Sequence, residues 1–279
     1  MEGKVMSNAA SLHGVEAEVN YLLYTGQRPS TYAYVPPPGV PQRTGVPDAR
    51  RVQIANAREL PEPPSLDVHG FELRAHRTAL EDFSSDAVIR EVYYREAEAL
   101  YRQVTGAEKV VIFDHTLRDS APDKPEAVRE PVRVVHNDQT FVSGPRRVRD
   151  HLPAEEAAAR LARRFAIVNL WRPIGAPVQT WPLAVLDGRN LQAEDLVPSD
   201  LIYRDKIGET YAVVHRDRHR WFYFPQLRPD EVVLLKIYDS KVDGPVRLSA
   251  HTAFEDPTSP PGAPARRSIE LRALVFYPS

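Results

Sequence analysis

Residues 86–104 carry the clearest hydrophobic pattern in the chain. Apolar side chains recur there at three- and four-residue spacing, which is typical of a helix with one buried face. They are Val88, Ile89, Val92, Tyr93, Leu100, Tyr101 and Val104. Ser84, Ser85 and Asp86 are candidate N-caps, and Gly106 is a candidate terminator. A second helix is predicted over residues 153–164, where acidic residues follow Pro153 and arginines come last, in agreement with the helix dipole.

From residue 109 onward, short runs of β-branched and aromatic residues alternate with Pro, Gly and Asp. Nine runs predict strands: KVVIFDHTLR, VRVVHNDQT, FAIVNLWRP, PLAVLD, TYAVVHR, HRWFYFP, EVVLLKIYDS, RLSAHTAFE and SIELRALVFY. With only two clear helices, this pattern predicts a mainly β (α+β) fold, a sandwich or open barrel with helices packed outside. The 26 prolines, against 13 glycines, fit long rigid loops on such a framework.

The first 60 residues lack this pattern. They contain the proline-rich stretch TYAYVPPPGVPQ and one short candidate strand, VQIAN at 52–56. We therefore predict that residues 1–60 form an irregular N-terminal arm packed on the core. Residues 61–279 are predicted to form a single β domain, because no repeat or long linker divides them.

Composition narrows the function classes. Lys and Arg number 36 and Asp and Glu 38, a net charge of −2, which argues against a partner such as nucleic acid or an anionic membrane. No apolar run reaches membrane-spanning length, and the first residues lack a signal-peptide core. Cysteine is absent, which excludes disulfides, zinc–cysteine sites and a cysteine nucleophile. We expect a soluble cytoplasmic protein, with monomer and homodimer both open.

The sharpest chemical feature is the pair His136 and Asp138 in the predicted strand VRVVHNDQT. Residues two apart on a strand point to the same face, so the imidazole and the carboxylate converge. Taken alone, such a pair is better explained by a hydrogen-bonded strand end than by a metal site. A distant third ligand, His251, would complete the two-His, one-carboxylate set that suits non-haem Fe(II) and leaves coordination positions open.

Arg266 and Ser268 open the last predicted strand, fifteen residues after His251. A guanidinium and a hydroxyl on one strand face form a pocket for a carboxylate. Arg267 should point the other way, and Arg272, although on the same face as Arg266, lies about 20 Å further along the strand. An HxD pair, a distant His and an RxS pair together are the parts that an iron and 2-oxoglutarate dioxygenase needs.

Four further residues are weaker site candidates. Asn169 is a polar residue in an apolar strand, where it either contacts co-substrate or binds loop backbone. Arg172 either acts in catalysis or forms a structural ion pair. Trp221 and Tyr203 either shape the substrate pocket or belong to the core and a loop. His215 and His219 are predicted to flank an exposed hairpin turn, while His115 and Arg118 either line the pocket mouth or are strand-edge residues.

The sequence also resembles the hydroxylase/desaturase family of Fe(II)/2-oxoglutarate oxygenases that includes AsaB, gibberellin desaturase and CmcJ-like proteins. Seven stretches carry the resemblance, in order: FDHTLR (113–118), PVRVVHNDQT (131–140), IVNLWRPI (167–174), GETYAVVHRDRHRWFYFP (208–225), EVVLLKIYDS (231–240), HTAFEDP (251–257) and SIELRALVFY (268–277).

The resemblance implies a double-stranded β-helix (jelly-roll, cupin-like) core. It also implies Fe(II) on His136, Asp138 and His251, with 2-oxoglutarate on Arg266 and Ser268. The expected reaction is C–H abstraction from a small natural-product or amino-acid-type substrate by dioxygen, leading to hydroxylation, desaturation or cyclisation in secondary metabolism. Two alternatives stay open: an iron enzyme that does not use 2-oxoglutarate, and a non-catalytic partner protein of a methoxylation-type system.

Overall fold

The computed structural model describes residues 12–124 and 128–278. In this part the chain forms fourteen strands: β1 (Gly14–Leu23), β2 (Ser30–Tyr32), β3 (Val46–Asn56), β4 (Phe71–Ala75), β5 (Lys109–Asp119), β6 (His136–Asn137), β7 (Phe165–Pro173), β8 (Leu183–Leu186), β9 (Leu196–Ile202), β10 (Ile207–Val213), β11 (Trp221–Tyr223), β12 (Glu231–Asp239), β13 (His251–Ala253) and β14 (Arg267–Phe276).

The strands form two sheets with mostly antiparallel pairing. One sheet has nine strands in the order β1-β3-β11-β8-β13-β6-β10-β9-β2, and the other has five in the order β4-β12-β7-β14-β5. Apolar side chains of both sheets meet between them, among them Phe165, Ile167, Val185, Phe222 and Leu274. The predicted mainly β architecture is therefore confirmed.

The helices lie outside this core. A continuous helical segment runs through α1 (Asp86–Val88), a π-helical turn (Ile89–Tyr93) and α2 (Tyr94–Thr105), and the predicted helix is confirmed. Ser85 caps its start and Gly106, with a positive φ of 68°, ends it. Its apolar stripe packs on the outer face of the five-stranded sheet, against residues such as Val168 and Leu271.

The second predicted helix is present as α4 (Ala154–Leu161), after Pro153. The sequence prediction missed α3 (Ser143–His151), a strongly basic helix that contains a glycine and a proline near its start. Three single 3₁₀ turns, Ala57–Glu59, Gly188–Asn190 and Ala193–Asp195, complete the helical content of the described residues.

The prediction of an irregular arm over residues 1–60 is wrong for the part that the structure describes. Strands β1 and β3 pair along ten residues, from Gly14 opposite Ala55 to Leu23 opposite Val46, and β3 joins the larger sheet through β11. Residues 1–11 lie outside the described part. Val15, Ala17, Val19 and Tyr21 alternate with polar residues in β1, so a strand pattern was present in the sequence. The division of the chain into units at residue 60 remains a prediction.

No helix in the described part of the chain has the length and apolar character needed to cross a membrane.

Candidate metal and co-substrate site

Two short strands bring the predicted metal ligands together. His136 in β6 lies directly opposite His251 in β13, and their ring centroids are 4.3 Å apart. Asp138 follows β6, and its Oδ1 lies 3.5 Å from His136 Nε2. One ligand atom from each of the three residues lies within 4.8 Å of those of the other two. This set of two imidazoles and one carboxylate fits a metal ion such as Fe(II).

Hydrogen bonds fix how two of these side chains point. His136 Nδ1 lies 2.8 Å from the carbonyl oxygen of Val134, which can only accept, so Nδ1 carries the proton and Nε2 is left free to ligate. Asp138 Oδ2 accepts from Asn169 Nδ2 at 2.8 Å and from Arg272 Nε at 3.0 Å. The second carboxylate oxygen, Oδ1, is thereby turned toward His136.

The local charges keep the ligands in the protonation state that a metal needs. Burial by itself would raise the pKa of the Asp138 carboxyl, but the Arg272 guanidinium and the His136 imidazole hold that pKa well below its usual range. Burial, reinforced by the neighbouring His136, lowers the pKa of His251 to about 4. At neutral pH the site therefore offers an ionised carboxylate and a neutral His251 imidazole.

A second group of unsatisfied polar atoms lies on the inner face of β14. Arg266 is 4% exposed, Ser268 is 1% exposed, and Arg266 Nε and Ser268 Oγ are both buried without a hydrogen-bond partner among the described residues. Arg266 Nη1 donates to the carbonyl of Trp181, and its guanidinium lies over the Trp171 ring, 5.3 Å from the centroid.

Burial of this charge, together with the like charge of Arg118, lowers the pKa of Arg266 to about 9. No carboxylate in the described part of the chain lies within ion-pair distance of Arg266, and a buried charge without a counter-ion is costly. A guanidinium and a hydroxyl with open hydrogen-bonding positions fit the carboxylate of a ligand such as 2-oxoglutarate.

A cavity of about 950 Å³ opens onto the metal side of this site. His136, Asp138 and Arg272 line its inner end, whereas its walls come from β1, β5, β9, β10 and the segment after β1. Aromatic and aliphatic side chains that line these walls include Tyr21, Leu22, Tyr32, Phe113, Val132, Leu201 and Tyr203. The cavity has the size of a site for a small organic molecule.

The other four predicted site residues fall in different places. Asn169 donates to Asp138 at 2.8 Å and to Glu270 at 2.8 Å, so it contacts the metal-ligand set rather than a loop. Tyr203 lines the cavity, and its role there remains a prediction.

Arg172 lies away from the site. Successive side chains of β7 point to opposite faces of the sheet, so Asn169 and Trp171 face inward whereas Arg172 faces the helices. Arg172 Nε donates to Tyr93 Oη at 2.8 Å, and its other nitrogens bond to the Pro229 carbonyl and to His76. These contacts correspond to a structural role and not to the catalytic one that we expected.

Trp221 also lies outside the cavity lining. It pairs with Leu186, whereas His251 pairs with the adjacent Val185, so the two side chains leave opposite faces of the sheet. Trp221 is 2% exposed and its Nε1 donates to Tyr21 Oη at 2.7 Å. Tyr21, which was not singled out in the sequence, lines the cavity in its place.

The structure adds one residue to the site and corrects one further interpretation. Arg272 was set aside as the 2-oxoglutarate arginine because of its distance from Arg266 along β14, and it instead contacts Asp138 and Glu270, the latter at 3.2 Å from its Nη2. Sequence alternation placed Arg272 on the inner face, but it could not reveal that Asp138 approaches from the other sheet. His219 was expected in an exposed turn, and it is buried between Tyr21 and Asp195.

Comparisons with known proteins agree with this geometry. Residues 19–276 match a family described as "Oxidoreductase/YMDC permease-like domain". The chain is 34% identical over 258 residues to the Fe(II)/2-oxoglutarate-dependent dioxygenase nvfI of Aspergillus novofumigatus, covering 88% of this chain and 90% of that protein. It is 32% identical to the hydroxylase/desaturase CTB9 of Cercospora beticola, over 82% of this chain and 77% of that one.

A solved structure has the same fold. The iron and alpha-ketoglutarate-dependent endoperoxidase NvfI superposes with a TM-score of 0.85 at 31% identity, covering 95% of this chain and 98% of that structure. This similarity confirms the double-stranded β-helix core. On these matches, the chain belongs to the hydroxylase/desaturase family of Fe(II)/2-oxoglutarate-dependent dioxygenases.

Proposed function

We propose that this protein is an Fe(II)/2-oxoglutarate-dependent dioxygenase that abstracts hydrogen from a C–H bond of a small natural-product substrate. His136, Asp138 and His251 hold the iron, and Arg266 and Ser268 hold a carboxylate of 2-oxoglutarate. The observation that carries the proposal is the convergence of three metal-ligating atoms within 4.8 Å beside a buried arginine and serine with open hydrogen-bonding positions. Hydroxylation, desaturation and cyclisation are all outcomes of such an abstraction.

The bound group supplies one kind of chemistry: iron(II), with 2-oxoglutarate and dioxygen, provides an oxidant that removes hydrogen from an unactivated carbon while 2-oxoglutarate becomes succinate and carbon dioxide. The protein's own residues orient the reactants. The Val134 carbonyl sets the His136 ring, and Asn169 and Arg272 restrain Asp138. Such outer contacts commonly strengthen metal binding and activity by 10–100-fold.

The cavity supports a small organic substrate held by largely aromatic and aliphatic walls. Tyr32 and Tyr203 line it, and a tyrosine combines an apolar ring with a hydroxyl, so these two residues offer apolar contact with a few directional hydrogen bonds. Tyr21 lines it too, but its hydroxyl is already bonded to Trp221 and His219. Contact with these walls would hold one C–H bond of the substrate near the metal position. Location in the cytoplasm, and the absence of nucleic-acid and membrane partners, remain predictions from the sequence.

An anaerobic titration of Fe(II)-loaded protein with 2-oxoglutarate tests this function before any substrate is known. We expect a weak visible absorption band, because 2-oxoglutarate then chelates a metal ion that keeps open positions. Iron binding without the band would favour an iron enzyme that does not use 2-oxoglutarate. Absence of iron binding would favour a non-catalytic partner protein.

A further inference from the structure

Arg118 is a partly buried cation that the proposed function has not used. It lies in β5 directly opposite Ser268 in β14, so the two side chains leave the same face of the sheet. Arg118 also lines the cavity together with His136, Asp138 and Arg272. It thus lies next to the Arg266–Ser268 pocket and also borders the cavity onto which the metal ligands open.

The hydrogen bonding of Arg118 is incomplete for its position. Its Nη1 donates to the carbonyl of Glu130 at 2.8 Å, which is the one hydrogen bond of its side chain within residues 12–124 and 128–278. No carboxylate in those residues forms an ion pair with it, whereas Arg272, on the neighbouring strand, contacts Asp138, Glu270 and Asp114. Burial lowers the pKa of the Arg118 guanidinium. A partly buried guanidinium without a counter-ion leaves a binding position for an anion.

The charges on the inner face of the five-stranded sheet indicate a ligand that carries two negative charges. Three guanidinium groups, Arg118, Arg266 and Arg272, meet three carboxylates, the partly buried Asp138, the buried Glu270 and the half-exposed Asp114, so the charges of these side chains balance. Iron(II) would add two further positive charges. 2-Oxoglutarate has two carboxylates, and Arg266 with Ser268 can take only one end of it.

We propose that Arg118 binds the second carboxylate of 2-oxoglutarate, the one next to the keto group, which lies on the metal side of the Arg266–Ser268 pocket. This inference rests on the proposed function. Arg118 is then a co-substrate-binding residue with a role distinct from that of Arg266. Arg266 recognises the carboxylate that distinguishes 2-oxoglutarate from simple 2-oxo acids, whereas Arg118 recognises the end that all 2-oxo acids share.

Two probes separate these roles. 2-Oxoglutarate carries both carboxylates, and 2-oxopentanoate keeps the keto-acid end but lacks the distal carboxylate. Calorimetric titration of anaerobic, Mn(II)-loaded protein measures the affinity of each without any turnover. Losing a charge-assisted hydrogen bond typically weakens binding by about 10- to 100-fold. We expect Arg118→Met to weaken both probes by the same factor of this size, and Arg266→Met to weaken 2-oxoglutarate alone.

Arg118→Lys, which keeps the charge but not the two-pronged geometry, should give an intermediate loss. The matched control is Arg129→Met, because Arg129 lines the same cavity but is exposed. Mn(II) affinity serves as the check that each variant is folded, since none of these arginines is a metal ligand.

Two results would overturn the role of Arg118: unchanged affinity for both probes in Arg118→Met, or a selective loss of 2-oxoglutarate in that variant. Failure of the proposed function has a different signature. The wild-type protein would then bind 2-oxoglutarate no more tightly than 2-oxopentanoate, and Arg266→Met would change neither affinity.

Discussion

Two clusters of buried polar side chains lie close to the cavity, and they differ in how completely they are hydrogen-bonded. At the metal end, Asn169 Oδ1, His251 Nδ1, Arg266 Nε and Ser268 Oγ are buried without partners among the described residues. In the other cluster, hydrogen bonds link the four side chains to one another: Trp221, Tyr21, His219 and Asp195.

The order of donors in the second cluster is fully determined. The Asp195 carboxylate can only accept, so the proton of the neutral His219 ring is on Nε2, and Nδ1 accepts from Tyr21 Oη at 3.1 Å, while Trp221 Nε1 donates to the same hydroxyl oxygen. His219 Nε2 then donates to Asp195 Oδ2 at 3.2 Å, and Arg218 donates to both oxygens of that carboxylate. A closed network of this kind stabilises the fold, whereas open positions mark where a ligand binds. The following predictions test this difference, from the largest expected effect on ligand binding to the smallest.

Removing a metal ligand should have the largest effect. In His136→Ala or Asp138→Ala, we expect iron stoichiometry near zero and no measurable turnover, because two ligands cannot replace three. Metal analysis after anaerobic loading measures this. The matched control is His219→Ala, a histidine of the closed network, which should lose stability and keep its iron. Wild-type activity in either ligand variant would refute the iron assignment.

The second largest effect is expected for Arg266→Ala. This change should raise the 2-oxoglutarate concentration needed for half-maximal turnover by about 100-fold, because a buried charge-assisted contact is lost. The control is Arg267→Ala. That side chain is 56% exposed and lies 3.7 Å from Asp119, so its loss should change little. Measurement of turnover against 2-oxoglutarate concentration ranks the two, and the reverse order would contradict the strand register.

Asn169→Ala should lower iron affinity by about tenfold, because the Asp138 carboxylate loses one of two restraining donors while Arg272 remains. A competitive metal titration checks this. Iron affinity equal to that of the wild type would mean that Arg272 alone positions Asp138.

Tyr21→Phe should have the smallest effect on the affinities for the metal and for 2-oxoglutarate. It leaves Trp221 Nε1 and His219 Nδ1 without partners, which should lower the free energy of unfolding by about 1–3 kcal/mol. Denaturant unfolding measures this loss, and calorimetry should give unchanged Mn(II) and 2-oxoglutarate affinities. Weakened 2-oxoglutarate binding at unchanged stability would place Tyr21 in the open cluster.

The sequence could predict the open cluster better than the closed one. Two pairs stand out at strand spacing, His136 with Asp138 and Arg266 with Ser268. The structure brings His136 and Asp138 together as alternation predicts, and the pairing of β13 with β6 adds His251. Charged and polar side chains of this kind are easy to recognise in a sequence, because the packing of a hydrophobic core does not require them.

The remaining errors come from long-range pairing. Trp221 and Arg172 lie on strands that were correctly located, but which face of a strand meets the site depends on its partners. Tyr21 and His219 are 198 residues apart, and no local pattern links them. The contact between Arg272 and Asp138 was not predicted either, because it crosses between the two sheets.

The most direct test is an anaerobic crystal structure of the Mn(II)- and 2-oxoglutarate-bound protein. We expect one carboxylate of 2-oxoglutarate on Arg266 Nε and Ser268 Oγ, and the metal on His136, Asp138 and His251. The bonds from Trp221 through Tyr21 and His219 to Asp195 should be unchanged. A structure in which 2-oxoglutarate binds elsewhere and Arg266 Nε and Ser268 Oγ keep no partner would contradict the conclusion that these open positions mark the ligand site.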